Sequence, residues 1–269
     1  MPRPSLLQLI LPPSLKSYMR TVDTRLHELE RLTKRLKVRV KNLEDAIDVL
    51  ISSPHYQKAD EIGFNGQILR KQIFQELITR LDFQVILETG TWTGNTTGYM
   101  AEVSGLPVFS TEINPRYHAI AQMRLAKFEN ITLENLDSRQ FLEKMAKNPN
   151  LTQLTAFFYL DAHWYEDLPL GEEMSRIAEN WDRFVIMVDD FQVPDDSGYT
   201  YDHYGPGQTL NLDYIESTLR HYHLVPFYPA CPATQETGAK RGCVLITKQG
   251  ELSNQLAHCS LIKQFQTSE

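Results

Sequence analysis

The sequence predicts an α/β fold: a Rossmann-like, doubly wound seven-stranded sheet with a terminal antiparallel hairpin, preceded by an N-terminal helical, coiled-coil-like segment. Three observations predict it. From residue 84 onward, short apolar runs alternate with amphipathic stretches, the pattern of successive β/α units. Several of the runs are continuously apolar, as strands buried on both faces of a parallel sheet must be. The last two runs are separated only by the loop from Pro229 to Arg241, which leaves no room for a helical crossover, so they should pair antiparallel.

The elements follow in order. Residues 5–11 are apolar but short, bracketed by Pro2, Pro4, Pro12 and Pro13, and lack a small-residue cleavage site. They read as a leader rather than a signal peptide. Across residues 22–50, Val22, Leu26, Leu29, Leu36, Val40, Leu43, Ile47 and Leu50 recur at alternating four- and three-residue spacings, interrupted only by Thr33. That is the seam of a coiled coil, and it predicts a homo-oligomer formed through residues 22–50. The alternative is an amphipathic helix packed on its own domain. Ser52-Ser53-Pro54 should end the helix, because proline cannot continue it. Residues 62–80 read as a further helix. Strands are expected at 84–89, 107–112, 131–136, 155–161, 184–190, 223–228 and 242–247. Helices are expected at 95–103, 116–128, 138–147, 170–180 and 211–221. The domain organisation is therefore 1–53 leader and helix, 60–250 main domain, and 251–269 a C-terminal tail.

Composition narrows the function. The 269 residues are 42% hydrophobic and 23% charged, ordinary for a globular protein. The net charge of -7 and pI of 5.7 argue against a binder of nucleic-acid phosphates. Charge is uneven: residues 1–51 carry ten Lys/Arg against six Asp/Glu, and the remainder has a balance of -11. Cys231, Cys243 and Cys259 have no metal-type spacing, and so sparse and odd a count suits a reducing, cytoplasmic setting. No apolar run approaches the roughly 18 residues that span a bilayer.

The chemistry begins at Val85-Ile86-Leu87-Glu88-Thr89-Gly90-Thr91-Trp92-Thr93-Gly94, an apolar run ending in an acid and a Gly-containing turn. Twenty-two residues after Gly90, a second apolar run ends in Glu112. This opens a nucleotide-type site, the turn admitting the ligand and the second acid accepting from ribose hydroxyls. A dinucleotide turn needs a second glycine where this chain has Trp92, which would crowd a phosphate. S-adenosylmethionine has no phosphate and carries a cationic sulfonium, so it fits Glu88, Gly90, Thr91, Gly94 and Glu112 better. Asp137 and Ser138 follow the third strand, where the adenine edge is expected.

Acids end the later strands too: Asp161 the fourth, Asp189 and Asp190 the fifth. A lone aspartate there is commonly a helix cap. Three converging carboxylates would raise one another's pKa, and a hard divalent cation, most simply Mg²⁺, would relieve them. Asp161, Asp189 and Asp190 are accordingly the expected metal ligands, with Asp161 also bordering the cofactor.

These residues resemble a family. Thr111-Glu112-Ile113-Asn114-Pro115, Tyr159-Leu160-Asp161-Ala162-His163-Trp164 with Leu168-Pro169, and Val188-Asp189-Asp190 look like the second-, fourth- and fifth-strand motifs of the metal-dependent catechol O-methyltransferases and their sugar O-methyltransferase relatives, class I enzymes using S-adenosylmethionine. The resemblance covers about residues 65–247. It implies methyl transfer to oxygen with a divalent metal on Asp161, Asp189 and Asp190. The catechol enzymes place a lysine base directly after His-Trp; here that position is Tyr165. Candidate bases are therefore His163, Tyr165 and His203, His163 alternatively serving as a wall beside the adenine. The connection from Phe191 to Gly207, rich in Gly, Pro, Asp and Tyr, suits a polyhydroxylated or carbohydrate acceptor. Readings left open are a catechol or phenol acceptor, a hydroxylase-like enzyme on the same fold, and a non-catalytic interaction protein.

Overall fold

The computed structural model describes residues 12–51, 63–163 and 167–265, which fall into two units. The first is a single 39-residue helix, α1 (Pro13–Ile51). It opens on proline, whose missing N–H would be unpaired there anyway. Thr21, Thr24 and Thr33 return their hydroxyls to carbonyls four residues earlier. Leu15, Met19, Val22, Leu26, Leu29, Leu36, Val40 and Leu43 are all exposed. The leader and the Ser52-Ser53-Pro54 stop lie outside the described residues.

The second unit is the α/β domain. A turn at Gly63–Gly66 leads into α2 (Ile68–Arg80). There follow β1 (Val85–Thr89), α3 (Asn95–Ser104), β2 (Val108–Thr111), α4 (Pro115–Leu125), β3 (Ile131–Glu134), α5 (Ser138–Ala146), the single turn α6 (Pro149–Thr152), β4 (Ala156–Leu160), α7 (Leu170–Asn180) and β5 (Phe184–Asp189). The chain then runs through α8 (Leu212–Tyr222), β6 (Leu224–Pro229), β7 (Cys243–Lys248), α9 (Glu251–Leu256) and β8 (Ile262–Gln264). Sheet order is β3-β2-β1-β4-β5-β7-β6-β8. The first five strands are parallel; β7 returns antiparallel to β5, and β6 pairs antiparallel with β7. This is a doubly wound, Rossmann-like plan, with the expected terminal hairpin.

Among the described residues the sheet has eight strands rather than seven. Residues beyond 250 are not all tail: α9 packs on the sheet and β8 pairs with β6. Glu76 on α2 fastens this segment by accepting from the Ser260 and Leu261 amides at 2.8 and 3.1 Å. Leu252, Leu256, Cys259 and Ile262 are the buried anchors.

Side chains of the central strands alternate between two cores, as a period of two requires. Val85, Leu87, Phe158, Ile186 and Val188 pack with α5, α7 and α8. Ile86, Phe157, Tyr159, Val185 and Met187 pack with α2, α3 and α9. Strands β2 and β4 flank β1, so the order in which strands are added to the sheet reverses at the β1–β4 boundary. The carboxyl edge there is where a crevice must open. Among the described residues, no helix is long and apolar enough to cross a membrane.

Candidate functional site

At the end of β1 the backbone turns through Gly90 with φ +87°, a left-handed conformation that L side chains rarely adopt. A Cβ there would also lie 2.3 Å from the Asp161 carbonyl oxygen after β4. Glycine thus lets the two strand ends touch. Gly94, at φ +83°, caps α3. Between them Trp92, also left-handed, donates its amide to Glu112 Oε2 at 2.7 Å. Glu112 Oε1 accepts the Asn114 amide at 2.8 Å. The carboxylate after β2 is therefore held in place by one bond on each oxygen.

Two cavities open on this edge and share Gly90, Trp92 and Glu112. The first, about 410 Å³, is walled by apolar Ile113, Leu136 and Pro169, by Tyr117, and by Asp137 and Ser138 at the start of α5. The exposed Trp92 ring meets Tyr117 edge-on at 6.2 Å. Asp137 caps α5 through the Arg139 amide and is held ionised, below the usual carboxylate range, chiefly by the Arg139 side chain. Glu88, Thr91 and Gly94 line neither cavity. They support the turn from below: Glu88 Oε2 accepts from Thr97 and Ser110, the Thr91 hydroxyl meets Ser110, and Gly94 packs on Leu125.

Burial pushes the Glu88 carboxyl up to about 7, against the pull of the Ser110 and Thr97 hydroxyls. Its folded pKa therefore exceeds the unfolded one, and the folded state holds this proton more tightly. The stability it contributes is complete below about pH 4.5 and is lost as pH rises to about 7. Glu88→Gln keeps a neutral acceptor at every pH. In denaturant titrations its stability relative to wild type should improve by about 2–3 kcal/mol between pH 4.5 and pH 8. A constant difference across that range would show that Glu88 is ionised throughout.

The second cavity, about 310 Å³, is acidic. It is bounded by Asn65, Asp161, His163, Asp190, Asp202 and Tyr204. His163 Nε2 lies 3.8 Å from Asp161 Oδ1 and 4.0 Å from Asp190 Oδ2. One donor atom from each of the three sits within 4.8 Å of the others. His163 is 4% exposed, and its Nε2 has no hydrogen-bond partner among the described residues. Burial pushes its pKa down to about 4, so the ring is neutral at physiological pH. Burial and then the Asp189 charge raise Asp161 well above its ordinary value, and the same causes push Asp190 up to about 7 against the pull of Arg241.

Asp189 does not join this cluster, which corrects the expected ligand set. As the last residue of β5 it continues the Val185–Met187 face, into the core beneath α2. There it is fully buried, paired with Arg70 Nη1 and accepting from the Tyr159 hydroxyl at 2.6 Å and the Asp190 amide at 2.9 Å. Burial raises its pKa, but Arg70 and Tyr159 outweigh that and hold it below the usual range. Asp190, one residue past the end of β5 and with a left-handed backbone at φ +54°, reaches the cavity. His163 fills the third position instead.

Of the other expected bases, His203 is exposed, binds Thr209 at 2.6 Å and lines neither cavity. Tyr165 lies outside the described residues. Tyr204, next to His203, is brought in: its hydroxyl donates to Asp202 and lies 3.0 Å from the His163 carbonyl. Arg241 clamps Asp190 and Asp202 from the β6–β7 loop. Asn65 reaches the site from the turn before α2, 3.4 Å from Asp189. Sequence reading had no local signal for Asn65, Arg70 or Arg241, while Asp202 and Tyr204 stood within the Gly-, Asp- and Tyr-rich connection.

No protein-family model and no curated protein sequence matches the chain. Similar solved structures include the O-methyltransferase TomG of Streptomyces achromogenes with S-adenosylmethionine, at 16% identity over 67% of this chain and 79% of that one, TM-score 0.45. An O-methyltransferase from Bacillus cereus with S-adenosylhomocysteine is similar at 14% identity, over 67% of this chain and 81% of its own, TM-score 0.46. Fibrillarin from Aeropyrum pernix, with natively bound S-adenosylmethionine, is similar at 18% identity, over 66% and 74%, TM-score 0.44.

Proposed function

We propose that this chain transfers the methyl group of S-adenosylmethionine to a hydroxyl of a polyhydroxylated small molecule, with help from a divalent cation. One observation carries the reading: a nucleoside-sized cavity and an acidic cavity open side by side on the carboxyl edge and share Gly90, Trp92 and Glu112. The apolar first cavity suits an adenine and ribose, with Glu112 fixed to accept from the ribose hydroxyls. The sulfonium would then lie where the two cavities meet. There the carboxyl groups of Asp161, Asp190 and Asp202 gather, and a bound cation would draw Asp161 and Asp190 toward the ionised forms that burial disfavours.

The residues fit a divalent cation. Asp161, His163 and Asp190 offer two carboxylate oxygens and a neutral, buried, unpartnered nitrogen at converging positions. Bound there, a cation would orient an acceptor hydroxyl and lower its pKa. The protein's own part is positioning. Tyr204 and Asp202 present hydrogen-bonding groups to a hydroxyl-rich acceptor, and the polar lining favours such a ligand over a flat phenol. With no cation bound, Asp190, pushed up to about 7 by burial and the neighbouring Asp189 charge, is a better proton acceptor near neutrality than His163, pushed down to about 4. Holding donor and acceptor in line can supply as much as about 7–11 kcal/mol of the acceleration. The exposed seam of α1 fits self-association of the chain.

Calorimetric titration with S-adenosylmethionine, followed by label transfer to a pool of hydroxylated acceptors, tests the reading. Folded protein that binds no S-adenosylmethionine would overturn it. Asp161→Asn should lower transfer by roughly 100-fold or more and weaken cofactor binding far less than the loss of Glu112 does, since Glu112 sits on another strand. Full transfer in excess chelator would remove the cation from the scheme and leave Asp190 as the base.

A further inference from the structure

α1 carries more than a seam. Placing Leu26, Thr33 and Val40 at the a positions puts Leu15, Val22, Leu29, Leu36 and Leu43 at d. Met19 falls at a as well; of these a residues Thr33 and Val40 are β-branched, and β-branched side chains at a with leucine at d favour two strands. Thr33, the one polar residue in the seam, gives its hydroxyl to the Leu29 carbonyl at 2.8 Å, so it can enter an interface without an orphaned group.

The flanking charges choose an orientation. The g positions hold Arg25 and Arg39, and the following e positions hold Glu30 and Glu44, all exposed. In a parallel, in-register pair, each g residue faces the next e residue of the other helix. Arg25 then meets Glu30 and Arg39 meets Glu44, twice over by symmetry, with no like-charge contact of this kind. In an antiparallel pair centred on Thr33 and Leu29, Arg25 would face Arg39 and Glu30 would face its own copy. Charge complementarity thus supports one arrangement and opposes the other.

We infer that α1 docks on a second copy of this chain as a parallel, in-register, two-stranded coiled coil, with Arg25–Glu30 and Arg39–Glu44 pairs between helices. This rests on the reading of α1 as a self-association segment and names the partner and its orientation. The full chain should sediment as a dimer. Arg25→Glu with Arg39→Glu should weaken dimerisation roughly tenfold or more, as should Glu30→Arg with Glu44→Arg. Mixing the two variants should restore a dimer containing one chain of each. Leu29→Cys should form a disulfide-linked dimer in a glutathione buffer, where wild type does not, because d positions face each other only in the parallel register. Each variant should keep the S-adenosylmethionine affinity of wild type, which shows that the α/β domain is folded. A wild-type monomer would overturn self-association itself. A dimer that survives both charge reversals, with no Leu29→Cys cross-link, would retain self-association and overturn the parallel register. A trimer would overturn the two-stranded assignment.

Discussion

Arg70→Ala is expected to destabilise the α/β domain by about 3–5 kcal/mol, among the largest effects any single replacement here should produce. Arg70 is 1% exposed, and its guanidinium pairs with Asp189, which is fully buried. Removing the cation strands that carboxylate in the core beside Tyr159. The same arginine also reaches the Arg241 carbonyl at 2.5 Å, so its loss loosens the loop that clamps Asp190 and Asp202. Denaturant unfolding gives the loss directly. Arg70→Met with Asp189→Asn should recover most of it, because no buried charge is left unpaired. A double variant as unstable as Arg70→Ala would mean that the packing of Arg70, rather than its charge, matters.

Glu112→Ala should abolish measurable S-adenosylmethionine binding while leaving the melting transition close to that of wild type. The carboxylate is only 7% exposed, and its two oxygens take the Trp92 and Asn114 amides, which fixes the mouth of both cavities. Without it the ribose would lose its acceptor and the Trp92 turn its anchor. A loss of about 3–4 kcal/mol of binding corresponds to a few hundredfold in the dissociation constant. Calorimetry that finds an unchanged constant in a folded variant would remove Glu112 from the cofactor site.

Much of this architecture was legible because the sheet writes itself locally. The runs ending at Glu88, Glu112 and Asp161 predicted strands that agree closely with β1, β2 and β4, since strands buried on both faces leave unbroken apolar stretches. The acids at their ends, and the glycine turn between Glu88 and Trp92, were equally visible. The fate of Asp189 was not. It depends on Arg70, 119 residues earlier, and the adjacent Asp190 has a left-handed backbone. Neither leaves a mark on the local pattern. The strand β8 escaped for a different reason: three residues and a few scattered anchors are too short for any periodicity to register.

The two cavities are built from unlike material. The wall around Glu112 belongs mostly to strand ends and to the first turns of α4 and α5, held by backbone pairing on the sheet. The acidic cavity borrows Asn65, Asp202, Tyr204 and the Arg241 clamp from three separate connections. Loops tolerate exchange and insertion far better than the sheet they rest on. On the proposed reading, the half that holds the methyl donor can therefore stay constant while the half that holds the acceptor is rewritten one connection at a time. Gly90 marks the border, because a side chain there would drive the strand end of β1 into that of β4 and spoil both halves at once.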